Sequence, residues 1–170
     1  AAWRPNAQHT LEFGLQREGY ELHTLVSNTP DWLNGAAATR FSAFGGRTQL
    51  DSLFVQDTWR WSPAWNAVLG LRAEHWQARD GLLANASREF TFPGRSEQSF
   101  SPKAAVEWLA GEQWSLKASI GRAVRYPTVS ELFQGSIATD AVVNNDPDLR
   151  PERATTSELT WIRELGTGHV

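Results

Sequence analysis

Apolar and polar residues alternate with period two along much of this chain. Over residues 66–77, Ala67, Leu69, Leu71 and Ala73 fall on one face and Gly70, Arg72 and Glu74 on the other, the pattern of a half-buried β-strand. Residues 113–125 set Trp114, Leu116, Ala118 and Ile120 against Ser115, Lys117, Ser119 and Gly121. The same reading gives strands over 8–18, 48–61, 98–108 and 154–163. In the second of the six, Asp57 shares a face with Leu53, Val55, Trp59 and Trp61; a charge is tolerated there only near a membrane interface, where it costs about 0–1 kcal/mol. Each strand is long enough to cross a bilayer, since about 9–11 tilted residues span the hydrocarbon. No stretch approaches the run of about 18 apolar residues that a membrane helix requires.

Alternation alone suits a soluble β-sandwich equally well; the connections favour a barrel wall. Short breaks around Ser62-Pro63 and Ala110-Gly111 alternate with long links over 19–47, 78–97 and 126–153. Short turns at one end and long loops at the other are the asymmetry of outer-membrane barrels. Trp59, Trp61, Trp65, Trp108 and Trp114 stand beside these short breaks and Trp161 before a third, Leu165-Gly166-Thr167-Gly168, and indole rings favour the headgroup level of a bilayer. The fold expected is therefore all-β: a piece of an antiparallel transmembrane β-barrel wall with about six strands. The alternative is a soluble carbohydrate-binding β-sandwich using exposed tryptophans. Within the long links, residues 29–35 suggest a one-turn helix, Thr128-Val129-Ser130-Glu131 suggests a capping box, and Asp80-Gly81 suggests a hairpin turn.

Composition narrows the function. The mean hydropathy of −0.44 is compatible with strands that average lipid-facing and lumen-facing residues. Net charge of −3, with basic residues spread singly, gives no reason to expect nucleic acid. Cysteine and methionine are absent, no signal peptide is legible at Ala1, and the chain ends just after a turn-like Gly-Thr-Gly; a piece of a longer chain is expected. His9, His23, His75 and His169 never fall at metal-ligand spacing, so no metal site and no cofactor is expected. Glu131 with Glu152 is the acid pair nearest to a hydrolase arrangement, but no convergent set of titratable groups accompanies it, and no enzyme activity is expected. Glu12, Arg72, Glu74, Lys103, Glu107 and Lys117 occupy the polar face, and their mixed signs suit a watery lumen better than an ion-selective pore. Arg122 falls on the apolar face at its rim, where a long stem can snorkel.

Three stretches resemble the TonB-dependent receptors of Gram-negative outer membranes. They are His9-Thr10-Leu11-Glu12-Phe13-Gly14, the pair Leu53-Phe54-Val55-Gln56-Asp57-Thr58-Trp59 and Leu69-Gly70-Leu71-Arg72, and an ordered succession from Ser101-Pro102-Lys103 to Glu158. That succession holds Gly121-Arg122, Pro127-Thr128, Glu131-Leu132-Phe133, Asp146-Pro147-Asp148-Leu149-Arg150-Pro151-Glu152 and Glu158-Leu159. The resemblance implies that residues 1–170 are part of a plugged barrel of about 22 strands, without the plug domain and the C-terminal strands. It implies import of a large scarce solute, by default a ferric siderophore or other metal chelate. The partners implied are outer-membrane lipid and, through the plug, TonB and its inner-membrane motor. Heme is disfavoured: where heme importers of the family carry a Phe-Arg-Ala-Pro box, this chain reads Val124-Arg125-Tyr126-Pro127, and no histidine follows in 128–145. The position of the long links implies that Arg125, Tyr126 and Glu131 meet the ligand, with Arg125 offering its fork of donors to an anion.

Overall fold

The computed structural model describes residues 1–31, 33–36, 39–137, 142–144 and 146–164. Its elements are β1 (Ala2–Trp3), β2 (His9–Asn28), β3 (Thr39–Ser62), β4 (Trp65–Asn85), β5 (Glu89–Phe92), β6 (Arg95–Leu109), β7 (Trp114–Arg125), α1 (Val129–Phe133), β8 (Gly135–Ile137), β9 (Val142–Asn144) and β10 (Glu152–Arg163). One antiparallel sheet runs in the order β1-β2-β3-β4-β6-β7-β10, with β5 on β4, and β8 pairs β9 separately. Neighbours in the sheet are neighbours in sequence, which is the up-and-down order of a barrel wall. Among the described residues no second sheet covers the apolar face, as a sandwich would require.

Rows of the ladder show how the faces divide. Leu15, Leu53, Ala73 and Phe100 stand side by side on the apolar face. One residue along, Gln16, Ser52, Glu74 and Ser99 stand side by side on the polar face. The apolar residues are bare, with Leu15 83 % and Leu159 72 % exposed, an arrangement that water would punish and lipid rewards.

The strands are longer than alternation indicated. β2, β3 and β4 run 20, 24 and 21 residues, so most of the expected links 19–47 and 78–97 is strand, and the hairpins project well past the apolar band. Beyond that band the polarity of the faces reverses. The apolar face gives way to Arg17 and Asp51, paired at 2.5 Å, and Arg47 and Glu21, paired at 3.0 Å. On the opposite face Leu22, Leu50, Trp76 and Ala78 gather under α1 with Val129, Leu132 and Phe133. The core of the molecule lies here, beyond the band and on the face that is polar below it.

Two local expectations are corrected. Asp80-Gly81 turns no hairpin: it sits inside β4 where the register with β3 slips between Gly45 and Arg47, and Asp80 takes φ of 56°. The Asp-Gly pair thus serves a bulge, and the reversal comes at Asn85, whose side chain accepts from the backbone N–H of Ser87 and Arg88 at 2.9 and 2.7 Å. The described part of 29–35 is a turn and not a helix: Asp31 accepts from the Leu33 amide at 2.9 Å, and Gly35 at φ of 66° closes it. Trp32 lies outside the described residues. The third expectation holds, since Thr128 and Glu131 cap α1 reciprocally.

Candidate ligand-facing wall and loop clamp

The six tryptophans share the apolar face at the short-turn end and form a nearly continuous belt. His9 stacks on Trp59 at 5.5 Å, Trp59 on Trp61 at 5.7 Å, Trp61 meets Trp65 at 6.3 Å and Trp65 stacks on Trp108 at 5.8 Å. Trp114 meets Trp161 at 5.4 Å, and Arg163 lies over Trp114 at 4.9 Å. Trp59 pairs with Ala67, Trp65 with Trp108 and Trp114 with Arg163, so the belt steps obliquely across the rows, as a level line does across tilted strands. Asp57 sits inside the belt and is held by His9 at 2.7 Å. Trp3, which the sequence reading left aside, stands at the same end, paired with Leu11.

The polar face carries the six charges assigned to it, most of them bonded to one another or to neighbours. Glu107 receives Lys117 at 3.0 Å and Asn66 at 3.2 Å, and Gln56 donates to Glu12 at 3.1 Å. The stem of Lys103 lies over Gly70, where a Cβ would come within 2.7 Å of its Cε. Arg72 donates to Glu74 at 3.0 Å and to Ser52 and Gln16 at 2.9 Å each. Ser99 donates to Glu74 at 3.2 Å and meets the Tyr126 hydroxyl at 2.5 Å. This ladder connects the middle of the wall to the first residue of the 126–151 loop.

Tyr126 turns inward because its ring stacks on Trp76 at 5.7 Å; burial pushes its phenol pKa up. α1 then lies across the hairpin, and Phe133 enters a hollow that only glycine provides. A Cβ on Gly46 or Gly81 would come within 2.3 or 2.4 Å of its ring, and Phe92 stacks on the ring at 5.9 Å. That hollow escaped the sequence reading; its trace is a Gly in each of two neighbouring strands and an aromatic closing the helix.

Arg125 and Glu131 come together with Glu152 and Tyr126 at this mouth, and they bond chiefly to one another. Arg125 grips Glu152 with Nε at 3.0 Å and Nη2 at 2.9 Å, while Nη1 reaches both oxygens of Glu131 at 3.0 Å. Glu131 also accepts from the Thr128 amide at 2.8 Å. The Thr128 amide and hydroxyl and Arg125 hold the Glu131 carboxyl below its usual range, and Arg125 does the same for Glu152. The guanidinium is correspondingly pushed up by both carboxylates. Chemically this is a clamp: it fastens the end of β7 to the cap of α1 and to the first residue of β10, and its fork of donors is already occupied. The Glu131 and Glu152 pair is bridged by a cation and does not frame an open cleft.

Among the described residues no group of three or more His, Asp or Glu is placed to hold a metal ion. His169 lies outside the described residues.

The geometry has a counterpart among known proteins. The chain is 20 % identical over 166 residues to the iron-regulated outer membrane virulence protein of Vibrio cholerae serotype O1, in both an El Tor and a classical strain. Those 166 residues are 96 % of this chain and 21 % of the relative, so the chain spans about a fifth of the length of the curated relatives it matches. In fold it is similar to the hemophore receptor HasR of Serratia marcescens, solved as a double mutant with its hemophore HasA and heme. The TM-score is 0.57 at 16 % identity, covering 90 % of this chain and 30 % of that one. The model of the TonB dependent receptor-like β-barrel matches residues 2–168. Together with the bare apolar face and the belt, that match means that this chain belongs to the TonB-dependent receptor β-barrel family and is a section of barrel wall from the outer membrane of a Gram-negative bacterium.

Proposed function

We propose that the chain is part of a TonB-energised receptor that imports a scarce iron-bearing solute, a ferric siderophore or similar metal chelate, across the outer membrane. The observation that carries this is the reversal of polarity along β2, β3 and β4, within a chain of this family. The band is built for lipid, and the part beyond it builds an inward-folded mouth in which Tyr126, α1 and Leu149 pack with Trp76. The iron regulation in the name of the Vibrio cholerae relative supports iron as the cargo class. The parent chain supplies the remaining strands and the plug, through which TonB and its inner-membrane motor act. In this reading the tryptophan belt marks the periplasmic interface, and the projecting hairpins are extracellular. Arg125, Tyr126 and Glu131 serve capture by holding the mouth in shape.

Uptake of radioiron as ferric siderophores by cells expressing the full-length receptor tests the proposal. Uptake that needs both the receptor and an energised inner membrane is expected; uptake indifferent to either overturns it. Orientation has its own test. A cysteine at Ser87 should react with an impermeant reagent on intact cells, while one at Ala110 stays protected, and the reverse pattern inverts the topology.

A further inference from the structure

A cleft of about 500 Å³ opens beside the clamp, lined by Arg95 and Glu97 of β6, Asp148, Arg150 and Pro151 of the loop, and Arg153 of β10. Three guanidinium groups face two carboxylates, and none of the five makes an ion pair among the described residues. Among the described residues Arg17, Arg40, Arg47, Arg72 and Arg125 pair with acids, whereas the cleft gathers three arginines that do not. The cleft thus carries one more guanidinium than carboxylate.

Arg95 is also preset. Its guanidinium lies over the Trp76 ring at 5.2 Å and donates through Nη2 to the Leu149 carbonyl, yet its Nε is buried with no partner. A buried donor without an acceptor is rare in proteins and marks a place where an acceptor is missing. Arg150 and Arg153 are exposed. The pattern is one guanidinium held over an aromatic face and two exposed forks beside it, which suits oxyanions that accept in pairs.

We propose that this cleft is a subsite for an acidic arm of the imported chelate, a catecholate or carboxylate, and that the receptor selects anionic over neutral ferric chelates through Arg95, Arg150 and Arg153. This rests on the receptor reading above and adds the charge class of the cargo and residues outside the Arg125 clamp.

The test uses the full-length receptor in cells, with two radioiron probes: a trianionic ferric tris-catecholate and a neutral ferric tris-hydroxamate. Binding is measured on de-energised cells and uptake on energised ones, for the wild type, Arg95→Gln, Arg95→Lys and the double variant Arg150→Gln with Arg153→Gln. Labelling at a Ser87→Cys reporter normalises for receptor at the surface. The wild type should hold the catecholate the more tightly. Arg95→Gln and the double variant should each weaken that binding by about tenfold or more, the scale of hydrogen bonds to a charged group. Arg95→Lys should not restore it, because an ammonium lacks the fork. Equal affinity for the neutral chelate, no binding of either, or substitutions without effect would overturn the inference, and the exposed Arg150 and Arg153 pair keeps it testable if Arg95→Gln fails to reach the surface. Energised uptake that ignores these substitutions sinks this inference alone; absence of energised uptake of any iron chelate sinks the receptor reading itself.

Discussion

Within and beyond the apolar band, the strands β2, β3 and β4 solve opposite problems. Within it, Leu15, Leu53 and Leu69 are bare, and the polar residues of the other face bond to one another across neighbouring strands. Beyond it, charged pairs such as Arg17 with Asp51 take the outward face, and Trp76, Leu132 and Phe133 are buried on the inward one. The pairing is continuous through the change, since β3 pairs with β2 and β4 on both sides of it, with bulges beyond the band at Val26/Ser27 and Gly45/Arg47. The surrounding medium and not the sheet decides which face is greasy. Lipid needs no second layer over an apolar face; water does, and beyond the band Tyr126, α1 and Leu149 supply that layer.

The sharpest way to break this comparison is to empty the inward core. Phe133→Ala should cost about 3–5 kcal/mol of local stability, as other buried Phe→Ala changes do. The loss should be confined to the region beyond the band: hydrogen exchange should accelerate at amides of 41–50 and 76–84 and stay unchanged at 66–72. Equal acceleration in both sets would show that the two regions are one cooperative unit. Gly46→Ala sharpens the point, because its Cβ would come within 2.3 Å of the Phe133 ring. It should damage the wild type and be tolerated far better in the Phe133→Ala background.

Next in size is a charge on the apolar face. Leu69→Arg places a guanidinium between the Trp65 level and the charged rim, and should cost about 2–4 kcal/mol, the depth-dependent penalty near the bilayer midplane. Gln49→Arg, on the same face of β3 beyond the band, should cost close to nothing. Denaturant titration of receptor folded into liposomes reads both; a comparable loss at the two sites would dissolve the distinction between the regions. A smaller effect is expected at the cap of α1, where Thr128→Ala removes the acceptor for the Glu131 amide and should cost about 1 kcal/mol, again read only beyond the band.

These two regions were not equally legible in the sequence. The wall could be read because lipid enforces strict alternation: Leu69 and Leu71 against Gly70 and Arg72 leave one answer for strand and face, and the tryptophans fix the turn end. The family boxes of 121–159 added the capped helix. The hairpins beyond the band were missed because Leu22, Leu50 and Trp76 are apolar on the wrong face for that pattern, while bulges at Val26/Ser27 and Gly45/Arg47 break the period itself. Asp80-Gly81 shows the limit of local signals: a residue at positive φ was called for, but whether it turns the chain or bulges a strand is settled by pairing with β3. The clamp was half legible. Arg125, Tyr126 and Glu131 stood out together, yet that Arg125 spends its donors on Glu131 and Glu152 depends on β10 lying beside β7, which only the sheet order supplies. Arg95 and Trp76 gave no signal at all, since neither belongs to a motif.

The smallest expected effect is also the one that separates a clamp from a ligand site. Glu131 and Glu152 have pKa values held below the ordinary glutamate value of about 4.3. A depressed folded pKa means that ionised carboxylates favour the closed mouth. Their contribution is fully present above the ordinary value and is lost as pH falls through the lowered ones. The clamp is largely exposed to solvent, so screening keeps its worth small. Acidification from neutrality to about pH 5 should therefore leave exchange in α1 unchanged, and opening should begin only below the ordinary carboxylate range. Arg125→Ala should give a small acceleration of α1 exchange already at neutral pH, because it leaves two carboxylates facing each other with no cation between them. Arg125→Lys should restore it only in part, because an ammonium cannot span both acids with a planar fork. If instead Arg125→Ala leaves α1 exchange untouched at every pH and abolishes chelate binding, Arg125 is a ligand contact and the mouth is held closed by Phe133 and Trp76 alone.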